Sequence, residues 1–245
     1  MKYVAKTTDI KPADVIGYGK TETLPSFGAA GNGYALATGL WNTPSVDYYG
    51  GAAGVLVGTP GVDGLVVSAT NKLVHPTPAR TLFNVNNALS YVVIAKVPLT
   101  TQVVFGDSFD GTASFSLSIN APTSPLIRAI GKDSSGATLP TADVTLPSNM
   151  DTLWTLLFLI GTQTTTQIAY YRAATGLVLG PISSRASTQL GSTTVAPGSG
   201  GNTTGGTPGS TILLSQTLLT ALTVPQIVAT CTEAGRLMSS LGKTL

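Results

Sequence analysis

Reactive side chains are almost missing from this chain. Its 245 residues include two glutamates (Glu22 and Glu233), one histidine (His75) and one cysteine (Cys231). Catalysis draws on a base, an acid, a nucleophile or a metal cluster, so the scarcity speaks against an enzyme, and no cofactor is expected. A single cysteine leaves no disulfide framework within the chain. His75 has no Cys or His near it in sequence to complete a metal site and reads as a loop or surface residue. Charge is thin as well. Asp, Glu, Lys and Arg make up 10% of the residues, against roughly 25% in ordinary soluble domains. The formal charge is +2 and no window is rich in Lys or Arg, which excludes the basic footprint of a nucleic-acid binder. The longest apolar run, residues 153–160, is about half a membrane crossing. Residues 1–9 have no apolar core of signal-peptide length. Synthesis and assembly in a reducing cytoplasm are therefore expected, and the sequon at Asn202 is a chance match.

What is present is 28 glycines and long stretches of Thr, Ser, Val and Leu, with an apolar share of 42%. That share is ample for a core. A surface so poor in charge needs hydroxyl groups and partner surfaces to cover it, which makes a large assembly the natural setting.

Residues 1–35 are punctuated by Gly17, Gly19, Pro25, Gly28, Gly31 and Gly33 and sustain no period of 2 or 3.6. They read as an extended assembly arm, with one domain over 36–245. Short apolar runs at 55–57 and 65–67 are separated by Gly/Pro turn signals. Residues 89–97, 102–105, 114–120, 126–130, 153–160, 167–171 and 177–179 read as strands. In 114–120, Phe115, Leu117 and Ile119 alternate with polar residues. A polar loop is expected after 130, and Gly161 should end the 153–160 strand. Residues 191–210, rich in Gly, Ser, Thr and Pro, read as a flexible loop before a strand at 211–214. One helix, about 223–240, should start at Thr223 with Pro225 in its first turn. Its inner stripe would hold Val224, Ile227, Val228, Cys231 and Met238, with Cys231 as a small core hydrophobe.

Four stretches carry a family resemblance: YVVIAKV (91–97), VFG with SFSLSI (104–106 and 114–119), WTLLF with IAYY (154–158 and 168–171), and ILLSQTLL with LTVPQI (212–219 and 222–227). In order and spacing they resemble the core strands and closing helix of the concanavalin A-like (laminin-G-like) jelly roll. Two departures stand out: Gln226 takes the place of an acidic residue, and Leu156 and Leu157 that of a polar pair. The resemblance implies an all-β, two-sheet antiparallel jelly-roll sandwich with an N-terminal arm and a short C-terminal helix. It also implies a lectin-like domain of the kind displayed on bacteriophage particles. Other β-sandwiches and an up-and-down barrel remain alternatives.

No catalytic pair is legible. Glycoside hydrolysis needs two carboxylates a set distance apart, and Glu22 in the arm and Glu233 on the helix do not provide them. Asp107 and Asp110 flank Gly111 and could present oxygens to calcium, but Asp and Gly in this order ordinarily make a hairpin turn. Gly19, Lys20 and Thr21 end like a phosphate-binding loop, yet Asp14 stands where its first glycine belongs. Trp41, Tyr48 and Tyr49 are candidates either for stacking on a sugar ring or for packing at an interface. The expectation is a non-enzymatic virion structural protein on a capsid or tail surface. Its expected partners are other virion proteins and its own copies as a trimer. The alternative is an adhesin for bacterial surface glycan, and a depolymerase is a weak third.

Overall fold

A computed structural model describes residues 24–37, 44–49, 51–68, 70–76, 87–98, 104–106, 114–120, 126–132, 135, 137, 140–145, 147–184 and 210–245. In chain order the strands are β1 (Gly31–Ala35), β2 (Val55–Val57), β3 (Leu65–Val66), β4 (Lys72–Val74), β5 (Ala88–Lys96), β6 (Val104–Gly106) and β7 (Ser114–Asn120). They continue with β8 (Leu126–Lys132), β9 (Ala142–Thr145), β10 (Thr155–Thr162), β11 (Thr165–Arg172), β12 (Gly176–Leu179), β13 (Ser183–Ser184) and β14 (Thr211–Leu218). Helix α1 (Val224–Ser240) closes the chain.

The larger sheet runs β1-β14-β5-β10-β11-β12, with β3 added to β14 and β13 to β11. The second sheet runs β6-β7-β8-β9, and β2 and β4 form a ribbon. All these pairs are antiparallel. The protein is a two-sheet antiparallel jelly-roll sandwich with a C-terminal helix.

Hydrophobic patterning explains the layers. Strands β5 and β10 are apolar at nearly every position because both of their faces are covered. Tyr91, Val93, Leu157 and Leu159 face one core together with Ile127, Ala129, Ala142 and Val144 of the second sheet. Val92, Ile94, Leu156 and Phe158 face the opposite core, where Ile227, Cys231, Leu237 and Met238 of α1 lie over them. Among the described side chains of β8 and β9, alternate residues Ile127, Ala129, Ala142 and Val144 are in the core, with Arg128 and Asp143 turned outward, as a strand buried on one face requires. A bulge interrupts β14 between Ile212 and Leu214. It places Ile212 in the first core and both Leu213 and Leu214 in the second.

Several sequence expectations change. Residues 31–35, expected in the arm, are the edge strand β1, paired with β14 from Gly31 opposite Leu218 to Ala35 opposite Leu214. Leu24 is already fully buried, so the domain begins before residue 36. Residues 1–23, with most of the arm, lie outside the described residues, as does 191–209 of the expected loop. Gly161 does not end β10, which continues through Thr162 paired with Ala88, while Leu153 is outside the strand and half exposed. The polar loop expected after residue 130 contains β9. On α1 the inner face holds Ile227, Cys231 and Met238, but Val224 and Val228 are exposed. These two lie four residues apart on the outward side of the helix, beyond the stripe that meets the sheet. Thr223 caps α1, and its backbone N–H donates to Oε1 of Gln226 at 2.8 Å.

Candidate functional site

Three sets of polar groups in the described interior, among others, are used to hold the fold. His75 lies in the loop just after β4 but is fully buried, not a surface residue. It lies along β14, with Nε2 3.2 Å from Ser215 Oγ and Nδ1 3.1 Å from Thr217 Oγ1. Ser215 and Thr217 are two apart in a strand and therefore share a face. The Tyr34 ring meets the imidazole edge-on at 4.8 Å. Burial pushes the His75 pKa down to about 3, so the ring is neutral at ordinary pH. Sequence reasoning missed this position because its partners are about 140 residues away and serine and threonine carry no distance signal.

Asp47 ties a loop to β1. Its Oδ1 accepts from the backbone N–H groups of Gly33 and Tyr49, each at 2.9 Å, and its Oδ2 accepts from Asn32 Nδ2 at 2.9 Å. Gly33 must be glycine here, because a Cβ would stand 2.2 Å from the Tyr48 ring. Tyr48 and Tyr49 pack edge-on with centroids 4.5 Å apart. Tyr49 donates its hydroxyl to the Leu24 carbonyl and accepts from Gln216 Nε2. Burial, as the largest cause, raises the pKa of both phenols. Tyr49 thus fastens the chain at Leu24 to the sheet, and both part-buried tyrosines pack against the second core. Arg172, 4% exposed, donates from Nε to Thr155 Oγ1 at 2.7 Å and from Nη1 to the Ser148 carbonyl. Desolvation lowers its pKa.

Two polar features among the described residues are open to a partner. On the outer face of the second sheet, Arg128 donates bidentately to Asp143 at 2.8 Å through both Nε and Nη2. That hydrogen-bonded pairing raises the arginine's pKa. Ser118 stands opposite Arg128 in register. At one end of the sandwich Phe27, Gly28, Ala29, Ala88, Leu219, Thr220 and Gln226 line an open depression of about 330 Å³.

Of the other sequence candidates, Trp41, Asp107 and Asp110 lie outside the described residues. Glu233 sits on α1 paired with Arg236 at 2.6 Å, remote in role from any second carboxylate. Among the described residues no three His, Cys, Asp or Glu side chains gather as metal ligands, and no helix is long and apolar enough to cross a membrane. Cys231 is buried, and desolvation pushes its thiol up to about 12.

No family model matches the chain, and no curated protein sequence matches it. Solved structures do resemble it. The receptor-binding domain of botulinum neurotoxin D superposes with a TM-score of 0.54 at 11% identity, over 88% of this chain and 53% of that one. Trypanosoma rangeli sialidase superposes with a TM-score of 0.56 at 13% identity, over 87% of this chain and 34% of that one. This chain thus spans about half of the toxin domain and a third of the sialidase. At such identities the likeness is one of fold: a β-sandwich shared with proteins that differ in what they do.

Proposed function

We propose that this chain is a non-enzymatic structural and recognition module of a bacteriophage virion, displayed on the capsid or tail and assembled in the host cytoplasm. The observation that carries the non-catalytic part is the use of its ionisable groups. Both faces of the larger sheet are filled by the chain itself, and His75, Asp47 and Arg172 are locked into the fold beneath them. Contact is left to the periphery. The low charge of the chain supports a setting in which neighbouring copies, as a trimer, and other virion proteins cover much of that periphery. Cryo-electron microscopy of the source particle tests this reading: density for the chain on the outer surface is expected, and its absence from the particle overturns it.

The second reading, an adhesin for bacterial surface glycan, is compatible with the first. It is favoured by the fold likeness to a toxin receptor-binding domain and by the two open polar features. A glycan array should detect retention of at least one host-type glycan. Incubation with the same glycans should release no reducing sugar, and release that depends on any aspartate or glutamate of this chain would make it a depolymerase.

A further inference from the structure

We propose that the depression between Phe27, Thr220 and Gln226 binds a neutral sugar ring, the choice of ligand resting on the glycan-recognition reading. Phe27 and Gln226 give the depression an aromatic side chain and an amide. Ala29 N–H donates to the Ser26 carbonyl at 2.9 Å, closing a tight turn whose central residues, Phe27 and Gly28, both have positive φ, 54° and 74°. That is the geometry in which Asn, Asp and Gly are favoured at the first central position. A bulky aromatic there is strained, and the part-buried Phe27 side chain offsets that strain by packing against the second core while it also lines the depression. The ring lies on the rim of the depression.

Gln226 is the second. Its Oε1 accepts from the Thr223 backbone N–H at 2.8 Å and from Thr223 Oγ1 at 3.0 Å. A backbone N–H can only donate, so the amide orientation is determined and Nε2 has no partner among the described residues. Glutamate would complete the same cap and add a favourable charge at the helix N-terminus. The amide nitrogen is therefore the part of Gln226 that the fold does not use.

Both residues face the same depression, whose lining includes no charged residue. An aromatic ring, an amide donor and the Thr220 hydroxyl in a neutral, open site match the C–H face and hydroxyls of an uncharged pyranose. A charged sugar would find no counter-charge there.

Two substitutions test the site, and Gln226→Glu separates binding from folding. Phe27→Asn relieves the turn and removes the ring, and Gln226→Glu keeps the cap and removes the donor. Saturation-transfer NMR would be run with the methyl glycosides of glucose, galactose, mannose and N-acetylglucosamine, with glucuronic acid as the charged comparison. The wild type should bind at least one neutral glycoside and not glucuronic acid. Each variant should lose about ten-fold or more in affinity, Gln226→Glu should leave Tm level, and Phe27→Tyr, which keeps the ring, should retain binding. A fall in Tm for Gln226→Glu would overturn the inference, because its amide nitrogen would then serve the fold. Unchanged glycoside binding in both overturns this site alone, as does a positive glycan array with no binding of these glycosides. No retention of any glycan in either assay overturns the recognition reading together with the site.

Discussion

His75 makes the chain's stability depend on pH in a range where little else titrates. Its imidazole is held neutral by burial with a pKa of about 3, whereas in the unfolded chain it takes up a proton near pH 6.5. Below that value the unfolded state binds one more proton than the folded state, and folding must release it. Stability is therefore full above about pH 6.5 and declines as pH falls toward 3, by up to about 4 kcal/mol. The chain has no other histidine, so denaturant unfolding compared at pH 7 and pH 5 isolates this group before the carboxylates titrate. His75→Gln, which can still hydrogen-bond to Ser215 and Thr217, should flatten the dependence. A wild-type protein equally stable at both values would show that His75 is not buried as described. At the same scale, polar residues of β14 were invisible in the sequence as partners: Ser215, Gln216 and Thr217 interrupt an apolar strand, and only the neighbours brought to them say why.

At the scale of elements, the strands that read most clearly were those whose pattern is decided by burial. Continuous apolar runs in β5 and β10 follow from cover on both faces, whereas 126–130 read as a strand without showing which of its residues, Ile127 and Ala129, would face the core. Trp154 stands at the entrance to β10, 5% exposed, with Lys96 Nζ 4.8 Å from its ring centroid. Trp154→Ala should cost about 3–5 kcal/mol, as for truncation of a buried aromatic, measured by denaturant unfolding. A cost below about 1 kcal/mol would be out of line with a core position. The elements that escaped sequence reading were short or poor in strand formers. β1 is GNGYA, with two glycines and an asparagine that local propensity disfavours in a strand. It is a strand because β14 offers it an edge and because Gly33 leaves room for the Tyr48 ring. β9, ADVT, has two inward positions too few to stand out from a loop. Helix α1 was legible from its cap and first-turn proline, but which stripe met the sheet was decided by the sheet.

For the whole molecule, the boundary between arm and domain is what bears on assembly. Residues 1–23 contain Lys2, Lys6, Lys11 and Lys20 with few large apolar groups, a composition that cannot offset its own ordering entropy. We therefore expect that deleting residues 2–23 leaves thermal unfolding little changed while incorporation into particles or oligomers, read by size-exclusion chromatography and particle occupancy, is lost. Deleting residues 2–35 should instead destabilise the domain strongly, since it removes β1 and the buried Leu24. Assembly of the shorter deletion at wild-type occupancy would refute the assembly role.

The amino-acid sequence by itself determined the fold class, the central strands, the capped C-terminal helix and the scarcity of catalytic groups. These depend on composition and on periods of two or 3.6 residues, which neighbours along the chain express. The tertiary structure alone decided that the chain from Leu24 joins the sheet, that His75 is an interior residue, that Tyr49 is a fastening, and that Phe27 and Gln226 share one depression. Each of those facts depends on groups distant in sequence meeting across the sandwich, and no local pattern records which distant strand or turn a side chain will face.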